Sequence, residues 1–122
     1  MLIIGIAGAH YPYEFDGIGL SATASPYYFH VGQSTTILFQ AQWEPNATNN
    51  YCGSCPWVAN ASAQIMISKG SSVIAQFTGL RTDNTGVFSA TFTAQSKGMY
   101  SINGTVVSGQ DYAWEIFTLQ GK

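Results

Sequence analysis

Apolar and polar residues alternate in twos along most of the chain, with Gly, Asn, Asp and Ser at the breaks. A period of two places successive side chains on opposite faces of a strand, so the pattern predicts strands joined by turns and no long helix. In STTILFQAQW, Ile37, Phe39, Ala41 and Trp43 share one face, and Leu38, Gln40 and Gln42 the other. SAQIMIS sets Ala63, Ile65 and Ile67 together; after the turn KGSS, SVIAQFTGL sets Val73, Ala75 and Phe77 on one side. That pair reads as a β-hairpin. VFSATFTA points Phe88, Ala90, Phe92 and Ala94 inward, and MYSINGTVV does the same with Tyr100, Ile102, Gly104 and Val106. YAWEIFTL is apolar on both faces except for Glu115, which predicts a last strand covered on both sides. Upstream, GIGLSATAS and YYFHV flank Pro26, a residue suited to a sheet edge or a crossover. Seven or eight short strands, with a turn about every ten residues, predict a two-sheet antiparallel sandwich. The 122 residues suit one domain, with EPNATNNYCGSCPWVAN, residues 44–60, as an irregular loop at one end.

The first nine residues, MLIIGIAGA, carry no charge and stand ahead of this pattern. A membrane span needs about 20 apolar residues, more than this segment has. A secretory signal needs a basic stretch before its apolar core, which is missing here, although AGA before His10 suits a cleavage site. As a strand, the segment puts Leu2, Ile4, Ile6 and Gly8 on one face and the smaller Gly5, Ala7 and Ala9, with Ile3, on the other. Bulky aliphatics on one side and small residues on the other suit a strand that slides into a groove and pairs with an open sheet edge. Burying its three large aliphatics contributes about 5–8 kcal/mol before ordering costs. Two partners remain open: a neighbouring copy, with HYPYEFDG as the linker, or the segment's own sheet. The expected organisation is an N-terminal strand over 1–9, a linker over 10–18 and a sandwich over 19–122.

Composition narrows the function. Charged residues make up 8% of the chain, against about 25% in ordinary soluble proteins. Hydroxyls, amides and tyrosines fill the shortfall, which suits an assembled or glycan-covered surface outside a cell. With a net charge of −2 and four scattered basic residues, Lys69, Arg81, Lys97 and Lys122, neither nucleic acid nor anionic lipid is an expected partner. Three triplets match the N-glycosylation acceptor pattern, at Asn46, Asn60 and Asn103.

Cys52 and Cys55, in YCGSCPW, admit three readings: a small-loop disulfide, a redox pair or half a metal site. A redox pair belongs at the start of a helix in a βαβ setting, which the pattern lacks. Zinc needs two more ligands, and His10 and His30 are the only histidines. A disulfide that stiffens the 44–60 loop fits an oxidising exterior. If cleavage followed Ala9, an N-terminal His10 with His30 would offer a copper site; the plainer reading is a solvated linker histidine. The six carboxylates, Glu14, Asp16, Glu44, Asp83, Asp111 and Glu115, show no paired spacing for acid–base work, and no nucleophile motif is present. The expectation is therefore a non-enzyme without cofactor or metal.

The stretch TDNTGVFSATFTAQSKGMYSINGTV, residues 82–106, resembles the second half of bacterial and archaeal extracellular immunoglobulin-like domains. The resemblance implies an immunoglobulin-like sandwich, with Tyr100 as a tyrosine corner bonding back to the backbone. The antibody-type cysteine pair is absent, since Ile102 stands at the second cysteine's place. In composition and opening stretch, the whole chain also resembles subunits of archaeal extracellular filaments, the threads and bundling pili. That resemblance implies strand insertion into a neighbour, a head-to-tail polymer of identical copies and N-linked glycans. The alternative is a monomeric surface module that binds carbohydrate or mediates adhesion. Its stacking surface would come from three Trp, seven Tyr and seven Phe, with Trp57, Tyr11, Tyr13, Tyr27 and Tyr28 among them.

Overall fold

The computed structural model describes residues 15–45 and 55–122. They form eight strands: β1 (Phe15–Ser25), β2 (Tyr28–Phe29), β3 (Ser34–Pro45), β4 (Ser62–Lys69), β5 (Ser72–Arg81), β6 (Val87–Thr93), β7 (Gly98–Ser108) and β8 (Asp111–Gly121). One sheet has three strands in the order β1-β3-β6, and the other has five in the order β2-β8-β7-β4-β5. All neighbours are antiparallel except β2 and β8, which run parallel. The chain changes sheets at Pro26, between β1 and β2. There Thr35, buried on β3, donates its hydroxyl to the Pro26 carbonyl at 2.6 Å, which ties the crossover to the three-stranded sheet.

The core lies between the sheets and follows the period-two pattern closely. Ile37, Phe39, Ala41 and Trp43 are buried on β3; Ala63, Ile65 and Ile67 on β4; Tyr100, Ile102 and Val106 on β7. Phe39 stacks on Phe88 of β6, with ring centroids 5.1 Å apart, and meets Phe117 of β8 at 6.0 Å. Opposite this cluster β7 carries Gly104. A Cβ there would lie 2.4 Å from the Phe39 ring, so the glycine makes room for the aromatic.

Four expectations are corrected. β1 begins at Phe15, so it takes up the last residues of the stretch read as linker; the register slips between Phe15 and Ile18, and Gly17 adopts φ 113°, which hides the alternation. Val73 faces away from the core: pairing moves from Ile67↔Ala75 to Ser68↔Val73, so Ile74 is an extra residue and the alternation inverts there. β8 is bare on its outer face. The last third of the 44–60 loop is not free chain. Beyond Gln40, where β6 stops pairing with β3, residues 56–58 take its place: the Trp43 N–H donates to the Pro56 carbonyl (3.0 Å) and the Val58 N–H to the Ala41 carbonyl (2.9 Å), with Val58 buried.

Candidate functional site

The two lateral margins of the sandwich differ. On one, β1 and β8 approach each other. On the other, β5 pairs only with β4 and β6 only with β3 among the described residues. The five-stranded sheet has more strands than the three-stranded one, and its inward residues are less covered toward its edge than in its middle. Ala63, Ile65 and Ile67 of β4 are buried, but their partners on β5, Leu80, Phe77 and Ala75, are half-exposed. Between the free edges runs a groove of ≈ 440 Å³, lined by Ile74, Ala75 and Phe77 on one wall, Thr91, Phe92 and Thr93 on the other, and Tyr100 at the floor. One end is closed by polar contacts. Lys69 donates to the Ser96 hydroxyl and the Lys97 carbonyl, both at 2.6 Å, and lies 5.5 Å from the Tyr100 ring centre. The Tyr100 hydroxyl donates to the Ser96 carbonyl, which ties the β6–β7 turn to the core.

A second feature is the outer face of the five-stranded sheet. Tyr112, Trp114 and Ile116 of β8 stand on it with exposures of 67%, 59% and 47%. Met99 and Val107 of β7 are exposed as well. Register pairs Val107 with Tyr112, Thr105 with Trp114 and Asn103 with Ile116, so the apolar and polar residues share one flat surface. The outward positions of β4, β7 and β8 there carry no charge. A third feature is a shallow cleft of ≈ 340 Å³ on the outside of the three-stranded sheet, lined by Gly19, Leu20, Ser21, Gln40, Gln42, Glu44 and Trp57. Trp57 is held beside β3 by an isolated bridge to Gln42, and the Gln42 amide donates to the Cys55 carbonyl at 3.0 Å. An indole wall beside amides and a carboxylate is chemistry that suits a neutral, hydroxyl-rich ligand.

The residues singled out from sequence do not converge. Leu2, Ile4, Ile6, Gly8, His10, Asn46 and Cys52 lie outside the described residues. Cys55 is half-buried against the core. Asn60 is exposed, with φ 56°, and its carbonyl accepts from the Arg81 guanidinium at 2.8 Å. Asn103 is half-buried on the outward face of β7, between Met66 and Ile116 in register, and its side-chain oxygen is shielded without a hydrogen-bond partner. His30 is exposed, and its backbone N–H donates to the Gln33 side chain at 3.0 Å. No group of three His, Cys, Asp or Glu side chains comes together among the described residues, and no helix there is long and apolar enough to cross a membrane. Of the carboxylates, Asp83 has a defined structural task. Its Oδ1 accepts from the Val87 N–H (3.0 Å), the Thr85 hydroxyl (2.8 Å) and the Thr85 N–H (2.8 Å), and these bonds hold its pKa below the ordinary aspartate value. Sequence reading missed the groove, because it arises from the bulge in β5 and the unequal strand count of the sheets.

The topology, with a first strand that switches sheets and Greek-key connections, defines an immunoglobulin-like β-sandwich. No protein-family model and no curated relative matches the chain. Among solved structures, it is similar to the CARDB domain of a Pyrococcus furiosus protein, a crystal structure in complex with di-metal ions. The TM-score is 0.54 at 14% identity, covering 89% of this chain and 96% of that one. The same domain solved in solution gives a TM-score of 0.49 at 15% identity, covering 89% and 95%. A β-glucosidase from Listeria innocua in complex with glucose gives 0.42 at 11% identity, covering 86% of this chain and 16% of that one. At this identity the likeness shows the fold alone.

Proposed function

We propose that this chain is a non-enzymatic structural subunit of an extracellular, pilus- or thread-like filament. Each copy gives its N-terminal strand, through Leu2, Ile4, Ile6 and Gly8, to the next copy. The observation that carries the reading is that the described residues 15–121 form eight strands around a shared core, so a sandwich is built from chain that follows the apolar opening segment. A strand with one bulky face suits an open sheet edge of another copy, and a head-to-tail contact that does not close makes a fibre. The low charge of the chain limits repulsion between packed copies. In this reading a disulfide between Cys52 and Cys55 stiffens the loop before β4, and Asn60, the exposed acceptor asparagine among the described residues, is better placed than Asn103 to carry a glycan.

Negative-stain microscopy of the purified full-length chain tests the reading. Fibres one subunit wide, lost in the double variant Ile4→Asp, Ile6→Asp, are expected. Discrete particles from both proteins would overturn it. The alternative, a monomeric module that binds carbohydrate, is favoured by the Trp57 cleft and by the exposed Tyr112 and Trp114. Under that reading full-length protein stays monomeric and is retained on insoluble polysaccharide, and Trp57→Ala or Trp114→Ala reduces retention.

A further inference from the structure

An immunoglobulin-like sandwich of the constant type has a fourth strand beside the strand that β6 represents here. In this chain the strand after β4 joins the other sheet as β5, so that place holds no strand among the described residues, and the groove between β5 and β6 runs beside it. Among the described residues the outer edges of β5 and β6 have no paired strand, and Phe77 is half-exposed in the groove wall. A covering strand is one way to protect an open, apolar-walled edge of this kind.

We infer that the groove between β5 and β6 is the acceptor for the N-terminal segment of a neighbouring copy, which pairs along the free edge of β6 and becomes the fourth strand of the three-stranded sheet. The inference rests on the donated-strand reading and adds the acceptor site to it. Three observations select this occupant. Nine residues at about 3.3 Å each reach about 30 Å, enough to run the length of the seven-residue β6. The aliphatic face of the segment, Leu2, Ile4 and Ile6, matches the apolar walls at Ala75, Phe77 and Phe92, and its uncharged small face would lie toward solvent. Chain direction favours a neighbour: β1, where the described chain begins, is the far strand of the same sheet, with β3 between it and β6. The other margin is a poorer acceptor, since β1 and β8 approach each other more extensively than β5 and β6 do.

The test replaces Ile4 with a diazirine-bearing aliphatic residue in the full-length chain and mixes isotopically light and heavy subunits before assembly. After irradiation, cross-linked peptides are mapped by mass spectrometry. The expected result is cross-links between light and heavy chains that join residue 4 to residues 74–77 or 91–93. Inter-chain cross-links to other strands would overturn the groove assignment and leave strand donation standing. Cross-links to the same residues within one chain would overturn donation and keep the groove as the segment's own pairing place. Absence of any cross-link to β5 or β6 would overturn the assignment outright.

Discussion

The two margins of this sandwich are built from similar residues and end in different states. At the β1/β8 margin the sheets approach, and Phe117 of β8 packs edge-on against Phe39 in the centre of the core. At the β5/β6 margin Phe77 reaches the same core and is half-exposed, as Phe117 is, but here β6 stands across from it as the far wall of a groove. The difference is one of strand count, three against five, and not of side-chain hydrophobicity. A half-covered aromatic at a free edge is stable within one subunit only as far as its own packing allows. The same position becomes a site for added stability once another strand covers it.

Substitutions sharpen this contrast. The largest effect belongs to the centre: Phe39 is fully buried, and Phe39→Ala is expected to cost about 3–5 kcal/mol in denaturant unfolding. Gly104→Ala comes next, at about 1–3 kcal/mol, since its methyl meets the Phe39 ring. Phe77→Ala, at the open margin, is expected to cost only about 1–2 kcal/mol in dispersed protein, because the side chain is already half-exposed. A loss at Phe77 as large as that at Phe39 would mean the margin is already closed. Tyr100→Phe removes the bond to the Ser96 carbonyl at the end of the groove and is expected to cost about 0.5–1.5 kcal/mol.

The smallest effect is electrostatic. The folded-state pKa of Asp83 is lowered by its bonds from Val87 and Thr85. Its stabilising contribution is therefore present above the unfolded aspartate value, about 3.9, and is lost as pH falls through the lower folded value. Asp83→Asn is expected to flatten the acid limb of the stability curve, read by thermal unfolding from pH 5 downward at about half-unit steps. An unchanged limb would remove Asp83 from the account. Because the turn before β6 is held by this carboxylate, the substitution also tests how far the free edge depends on its own turn.

Much of this architecture is legible in the sequence where one face of a strand is buried and the other wet. β3, β4 and β7 are such strands, and Tyr100, Ile102, Gly104 and Val106 fall inside as their alternation requires. Alternation fails where backbone irregularity resets it. The extra residue at Ile74 turns Val73 outward, and Gly17 breaks the pattern at the start of β1. It also fails on β8, where Tyr112, Trp114 and Ile116 read as buried because they are apolar, although they stand exposed. The groove has no signature of its own. It follows from which strands pair, a tertiary fact, and only its walls, Ala75, Phe77 and Phe92, appear in the pattern.

Residue-resolved hydrogen exchange addresses the central claim most directly, that the β5/β6 margin is the place where another strand adds. Full-length protein would be compared with the Ile4→Asp, Ile6→Asp variant under identical conditions. The account predicts slower exchange in full-length protein at β6 amides that face the groove, with little change along β1 and β8. Protection that appears along β8 and leaves β6 unchanged would contradict it.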